Sequence, residues 1–386
     1  MWSLSSLLRK MRGSDYPYLQ SLWLGPICSV EALRHLGQAI STLRLDKLCV
    51  SGILWCASRP LQLRHLVDSV EAGSHQPSYQ KWNGFDLEKV VSRPGNLLGT
   101  DSLRTLELSD CSNVNGLIST LGEQSEPEKS LRALMIGNRL PSQISSMIYA
   151  IEAANEPPED RIEIQPNHAD FIIELIENSR SLESLELDLS SFSAEEATQV
   201  LESLQFSREA LKYLRLNVFR NFVWLSLGTL EGHQSLDFFT PLALTRLSTF
   251  QNLRQLSICL NLRVDKISHV CRSFPPRLEL LELSYVNKGY TCSFGTTVRE
   301  LMLMTYTLKH RAAIAGLDFP LECIVMTELK CRARRNSLQT TIYIVHGKTG
   351  RVTAHEGLLE KMRLRRGSQT IFEFARIGLG FDGSSP

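Results

Sequence analysis

A few short stretches of the sequence carry residue types that could do chemistry. Gly347-Lys348-Thr349 has the Gly-Lys-Thr of a phosphate-binding loop. That loop needs another glycine five positions before its second one and a helix directly after it, so that backbone N–H groups cradle phosphate. Position 342 is Ile, and Ile342-Tyr343-Ile344-Val345 leads into Gly-Lys-Thr-Gly and then Arg-Val-Thr. A hairpin turn explains those glycines fully. His310 with Asp318, or His346 with His355, could act as a proton-transfer pair only if the fold brought them together, and nothing in the spacing does so. The acidic residues between 156 and 163 read as a solvated loop rather than a general acid–base pair. No G-x-S-x-G elbow and no H-E-x-x-H helix occurs. The nine cysteines (Cys28, Cys49, Cys56, Cys111, Cys259, Cys271, Cys292, Cys323 and Cys331) include no C-x-x-C pair. They read as reduced thiols of an intracellular protein, cytoplasmic or nuclear, and not as a disulfide framework or a zinc site. The expectation is therefore a non-enzyme with no catalytic residue, no metal and no cofactor.

Leucine, in contrast, recurs to a rule. In SLRTLELSD, Leu103, Leu106 and Leu108 stand three and then two apart. A helix wants i, i+3, i+4 and i+7, and a long strand wants strict alternation. This spacing fits a half-turn followed by a very short strand, with Leu106 and Leu108 on one face of the pleat. It recurs at Leu19-Leu22-Leu24, Ile40-Leu43-Leu45, Leu131-Leu134-Ile136, Leu182-Leu185-Leu187, Leu211-Leu214-Leu216, Leu253-Leu256-Ile258, Leu278-Leu281-Leu283 and Val298-Leu301-Leu303, with a weaker copy near Leu63 and Leu66. The closer copies are 20 to 29 residues apart, the period of leucine-rich repeats, and wide gaps such as 131 to 182 span about two such units.

Strands this short bury little alone, so other elements must return the chain. Ala169–Ser179 has apolar residues at helical spacing and leads into SLESLELDLS. Ser193-Ala-Glu-Glu196 predicts a capping box, with the Ser hydroxyl capping the helix and Glu196 answering. Thr240-Pro241 predicts an N-cap with Pro at the first helical position, again before a strand. Helix then strand, repeated, implies parallel strands on one side and helices on the other.

These residues make the chain resemble the leucine-rich repeat superfamily over about residues 18 to 304. Leu106–Cys111, LELSDC, is similar to the L-x-L-x-x-C form of F-box-associated repeats. The resemblance implies an α/β leucine-rich repeat solenoid, a curved parallel sheet with outer helices, and a role in binding protein, including substrate recognition for an F-box-type ubiquitin ligase. An F-box would precede the repeats, yet residues 1 to 18 hold no L-P-x-E start. Either the chain is truncated or it is a free repeat protein.

The expected organisation follows. Residues 1–18 form an N-terminal cap or an incomplete first repeat. Residues 19–304 form the repeat array, with insertions at 70–100 and 155–166 that lack the spacing and carry Pro and Gly. Residues 305–380 form a C-terminal cap or small subdomain: TTIYIVHGKTGRVTA as a hairpin, AHEGLLEKMRLRR as a basic helix, TIFEFARI as a strand. Residues 381–386 form a disordered tail. A 43% hydrophobic and 22% charged composition suits a soluble folded chain, and no apolar run approaches the ~18 residues of a membrane span.

Net charge is +1 but uneven. Residues 123–186 carry thirteen acidic and five basic side chains, and 330–366 carry ten basic and two acidic. Such asymmetry bears on partners rather than fold. With the leucines inward, alternate strand residues are expected to point to the concave face of the array. Trp23, Arg44, Glu107, Glu186, Tyr213, Arg215 and Glu282 then form the expected binding face for an unidentified protein partner. The mixture of acids, arginines and aromatics is that of protein interfaces, and not the uniformly basic strip that nucleic acid requires. The alternative is a nucleic-acid or acidic-surface contact through the basic region 330–366.

Overall fold

The computed structural model describes residues 4–11, 15–52, 60–93, 95–99, 102–109, 111–124, 131–137, 168–189, 192–217, 244–260, 270–287, 294–318, 320, 321, 323–332, 337–346 and 352–356. The chain forms two compact units, Met1–Asp188 and Leu189–Pro386. In the first, α1 (Leu4–Lys10), β1 (Ser21–Ile27), α2 (Val30–Thr42), β2 (Lys47–Gly52), β3 (Leu61–Gln62) and α3 (Arg64–Val67) are followed by β4 (Tyr79–Asn83) and β5 (Phe85–Asp86). Then come β6 (Thr105–Ser109), α4 (Asn115–Gln124), β7 (Ala133–Gly137), α5 (His168–Asn178) and β8 (Ser184–Asp188). β1, β2, β4, β6, β7 and β8 lie side by side in that order, each adjacent pair parallel. β3 and β5 make a separate parallel pair.

The second unit holds α6 (Ala194–Ser203), β9 (Tyr213–Asn217), β10 (Gln255–Leu260), β11 (Leu280–Asn287), α7 (Phe294–Ile314), β12 (Cys323–Arg332), β13 (Ser337–His346) and β14 (Val352–Glu356). β9 to β12 run parallel, and β13 and β14 add antiparallel strands beyond β12. The fold is thus α/β, built on parallel strands with helices between them. Among the described residues no helix is long and apolar enough to cross a membrane.

Register explains why short strands suffice. In the first unit Leu22, Leu48, Gln80, Leu106, Leu134 and Leu185 are successive partners, as are Leu24, Val50, Trp82, Leu108, Ile136 and Leu187. In the second, Leu214, Leu256, Leu281 and Ile324 align and are all buried. Each row stacks apolar side chains that no single strand could bury. Backbone bonds lock the register. The Ser78 carbonyl accepts from the N–H groups of Arg104 and Thr105 at 2.8 and 2.9 Å. The Lys212 carbonyl accepts likewise from Arg254 and Gln255 at 2.9 and 3.1 Å.

The helices obey the sequence rules. Ser193 and Glu196 make the expected capping box at the start of α6, and Ser29 caps α2 by accepting from the Ala32 N–H at 3.1 Å. The α2 side chains Leu33, Leu36 and Ile40 are wholly buried. Gly37 is required there, because a Cβ would lie 2.7 Å from the Leu66 carbonyl oxygen.

Three expectations are corrected. The stretch 70–100 is not a loop insertion: it contains β4, whose Gln80 and Trp82 take the places of leucines in the buried rows. The Gln80 amide donates to the Pro77 and Leu97 carbonyls, which lets a polar residue occupy that row. The spacing Ile40-Leu43-Leu45 is five residues too early. Ile40 lies in α2, and the strand frame is Leu45-Leu48-Val50. Val298-Leu301-Leu303 lies within α7; the next strand is β12, framed by Leu321, Ile324 and Met326. The hairpin over 340–354 is present as β13 and β14. The insertion 155–166, Thr240-Pro241, the turn 347–351 and everything after Glu356 lie outside the described residues.

Candidate protein-interaction surface

Alternating with the two inward rows of the first unit are two rows that point to the other face. One runs Ser21, Lys47, Tyr79, Thr105, Ala133, Ser184; the other Trp23, Cys49, Lys81, Glu107, Met135, Glu186. Parallel register brings Lys47 and Tyr79 of the first row and Trp23, Lys81 and Glu107 of the second into one cluster. The Lys47 ammonium lies over the Tyr79 ring at 4.0 Å and over the Trp23 ring at 5.1 Å from the centroids. Tyr79 donates its hydroxyl hydrogen to one oxygen of Glu107, and Lys81 donates to the other. The cluster is Trp23–Lys47–Tyr79–Glu107–Lys81, an unbroken chain of cation–π contacts and charge-assisted hydrogen bonds.

Electrostatics set the character of two groups here, Tyr79 and Cys49. Burial, then the hydrogen bond to Glu107, pushes the Tyr79 phenol far above its ordinary value. Tyr79 is therefore a donor and not a nucleophile or base. Cys49 sits beside Trp23 in register and is buried; burial raises its thiol in spite of Lys47 and Lys81. It is a packed thiol rather than a reactive one. Only Trp23 stands well out of the surface, 63% exposed. A large aromatic with a cation against its ring and much of its surface exposed is of the type that protein interfaces use as hot spots.

The expected binding residues are placed as follows. Trp23 and Glu107 belong to the cluster. Glu186 shares its row, half-buried on β8, and is already engaged. Tyr213 and Arg215 are half-buried on β9 and are also engaged. Arg44 is exposed but precedes β2, a consequence of the shifted frame. Glu282 is corrected: it is 1% exposed and accepts from the Ser257 hydroxyl at 2.9 Å, so it offers nothing to a partner. Lys47, Tyr79 and Lys81 were missed. The frame Leu45-Leu48-Val50 would have placed Lys47 outward, whereas Gln80 and Trp82 hid the strand that carries Tyr79 and Lys81.

The other chemistry-bearing residues do not assemble. His310 stacks on Tyr306, centroids 6.4 Å apart, and His355 pairs in register with Ile342 rather than His346. Cys271 of the second unit is wholly buried and its thiol is raised, by burial first and Glu300 second. Burial also lowers the nearby Arg311 guanidinium. A protonated thiol closed off from solvent has no access to a substrate. No group of three or more metal-ligating side chains occurs among the described residues. No protein-family model and no curated protein matches the chain in sequence.

Proposed function

We propose that the chain is a leucine-rich repeat solenoid, with β13 and β14 in its C-terminal cap, acting as a non-enzymatic scaffold. It binds a protein partner on the outward face of the first unit's sheet. The observation that carries this reading is Trp23, exposed yet oriented by Lys47 at the end of a chain of interlocked side chains. An ordered aromatic loses little side-chain freedom on binding, which is what makes such residues hot spots. The recurring leucine frame supports the repeat assignment.

Proximity labelling in cells tests it. The full chain is compared with three variants: Trp23→Ala with Lys47→Ala, Tyr213→Ala with Arg215→Ala, and the triple change of Arg363, Arg365 and Arg366 to Ala. The reading expects a discrete set of proteins whose labelling falls at least ~10-fold in the first variant only. Loss confined to the arginine variant would move the function to the basic C-terminal region and to acidic partners.

A further inference from the structure

The strand that carries Trp23 has a second property. Among the described residues β1 ends the strand order of the first unit and pairs on one side only, with β2. The Gln20 carbonyl accepts from the N–H groups of Asp46 and Lys47 at 2.8 and 3.0 Å. Backbone groups alternate in direction along a strand. Gln20, Leu22 and Leu24 therefore spend theirs on β2, and Ser21, Trp23 and Gly25 turn theirs to the open edge. All three of those residues are exposed, and a Cβ at Gly25 would meet nothing within 4 Å. None of the three backbones bonds to another described residue.

Edges of this kind are normally blunted by proline, charge or a covering element. Here Pro26 comes only after the open positions. It falls in the register slip between Leu24 and Ile27, past the positions Ser21 and Trp23. The charge next to the edge is also specific. Among the described residues Lys47 contacts two rings and no carboxylate, while Glu107 is taken up by Tyr79 and Lys81. A bound strand would find apolar surface at Trp23 and an ammonium beside it, with Tyr18 (93% exposed) just upstream.

We propose that β1 accepts an extended peptide by strand addition along Ser21–Gly25. The peptide carries a large apolar residue over Trp23 and a carboxylate that reaches Lys47. Backbone pairing supplies affinity without regard to sequence, and the Trp23–Lys47 pair supplies selectivity. The proposal rests on the reading that this face binds protein, and it names both the partner's conformation and its chemistry.

The experiment selects peptides from a random ten-residue display library on the full chain. A selected peptide is then titrated against wild type, Trp23→Ala, Lys47→Glu and Gly25→Pro. Gly25→Pro removes one edge N–H while sparing the β1–β2 ladder. The expected peptides place Asp or Glu near an aromatic or large aliphatic residue. Each variant should lose at least tenfold in affinity, as should the peptide N-methylated at alternate amides. Amide exchange at Trp23 and Gly25 should slow on binding. Peptides that need Trp23 and Lys47 but tolerate Gly25→Pro and N-methylation would overturn strand addition and leave the face as a protein-binding surface. A concentration-dependent dimer abolished by Gly25→Pro would also overturn it, since the edge would then belong to a second copy. Failure to select any peptide overturns it too, and if labelling is then indifferent to Trp23 and Lys47, the protein-binding reading fails as well.

Discussion

The outward row of the first unit and that of the second obey the same register and reach opposite ends. In the first, Trp23, Lys81 and Glu107 share a row with the buried Cys49 and are themselves open or half-buried, joined by Tyr79 and Lys47. In the second, Ser257 and Glu282 occupy the equivalent positions on β10 and β11 and are 3% and 1% exposed. Strand alternation decides which side of a sheet a residue faces, and only the surroundings decide whether that side meets water. A carboxylate on the outward row accepts hydrogen bonds in both units, half-buried at Glu107 and wholly buried at Glu282.

What the two units share should break hardest. Leu106→Asp and Leu256→Asp each put a carboxylate between stacked leucine rows. Each should cost several kcal/mol, enough to unfold its unit, because a buried charge without a partner is among the largest single penalties. Circular dichroism melts check this, and a native-like melt for either would undo the row assignment. The difference between the units shows next. Ser257→Ala strips a buried carboxylate of its donor and should cost about 1.5–3 kcal/mol. Trp23→Ala removes an exposed ring and should shift stability by about 0.5 kcal/mol or less. Urea denaturation of both variants tests the contrast, and the reverse order would mean the rows are not disposed as described.

The smallest effect is on pH dependence. Tyr79 is held protonated in the folded chain, while an unfolded tyrosine ionises near pH ~10. Above that pH the unfolded state releases a proton that the folded state keeps. Stability present below pH ~10 therefore declines as the pH rises. Tyr79→Phe should make the decline between about pH 10 and 11 shallower, read as the urea midpoint at each pH. An unchanged slope would mean that burial and the Glu107 bond do not hold the Tyr79 phenol protonated.

How far the molecule was legible in its sequence depends on one substitution pattern. Where leucine holds both inward positions, as at Leu106 and Leu108 or Leu185 and Leu187, the strand is readable and correctly framed. At β4 the inward positions are Gln80 and Trp82, and the periodicity disappears although the strand does not. Gln80 survives there by donating to two backbone carbonyls, a rescue that depends on the distant Leu97. Leu301 and Leu303 show the converse: three apolar residues at the right spacing also occur on a helix, and the 21-residue length of α7 decides the matter. The candidate surface inherited these errors. Trp23 and Glu107 were readable because their strands were. Lys47, Tyr79 and Lys81 were lost with a shifted frame and a hidden strand.

The central claim is that the first unit's outward row meets a protein. A photoreactive phenylalanine analogue placed at position 23, and separately at position 213, tests it most directly in cells. The account predicts that illumination joins the position-23 chain to a discrete protein, and that position 213 gives no such adduct. An adduct to protein from position 213 with none from position 23, or adducts to nucleic acid alone, would contradict it.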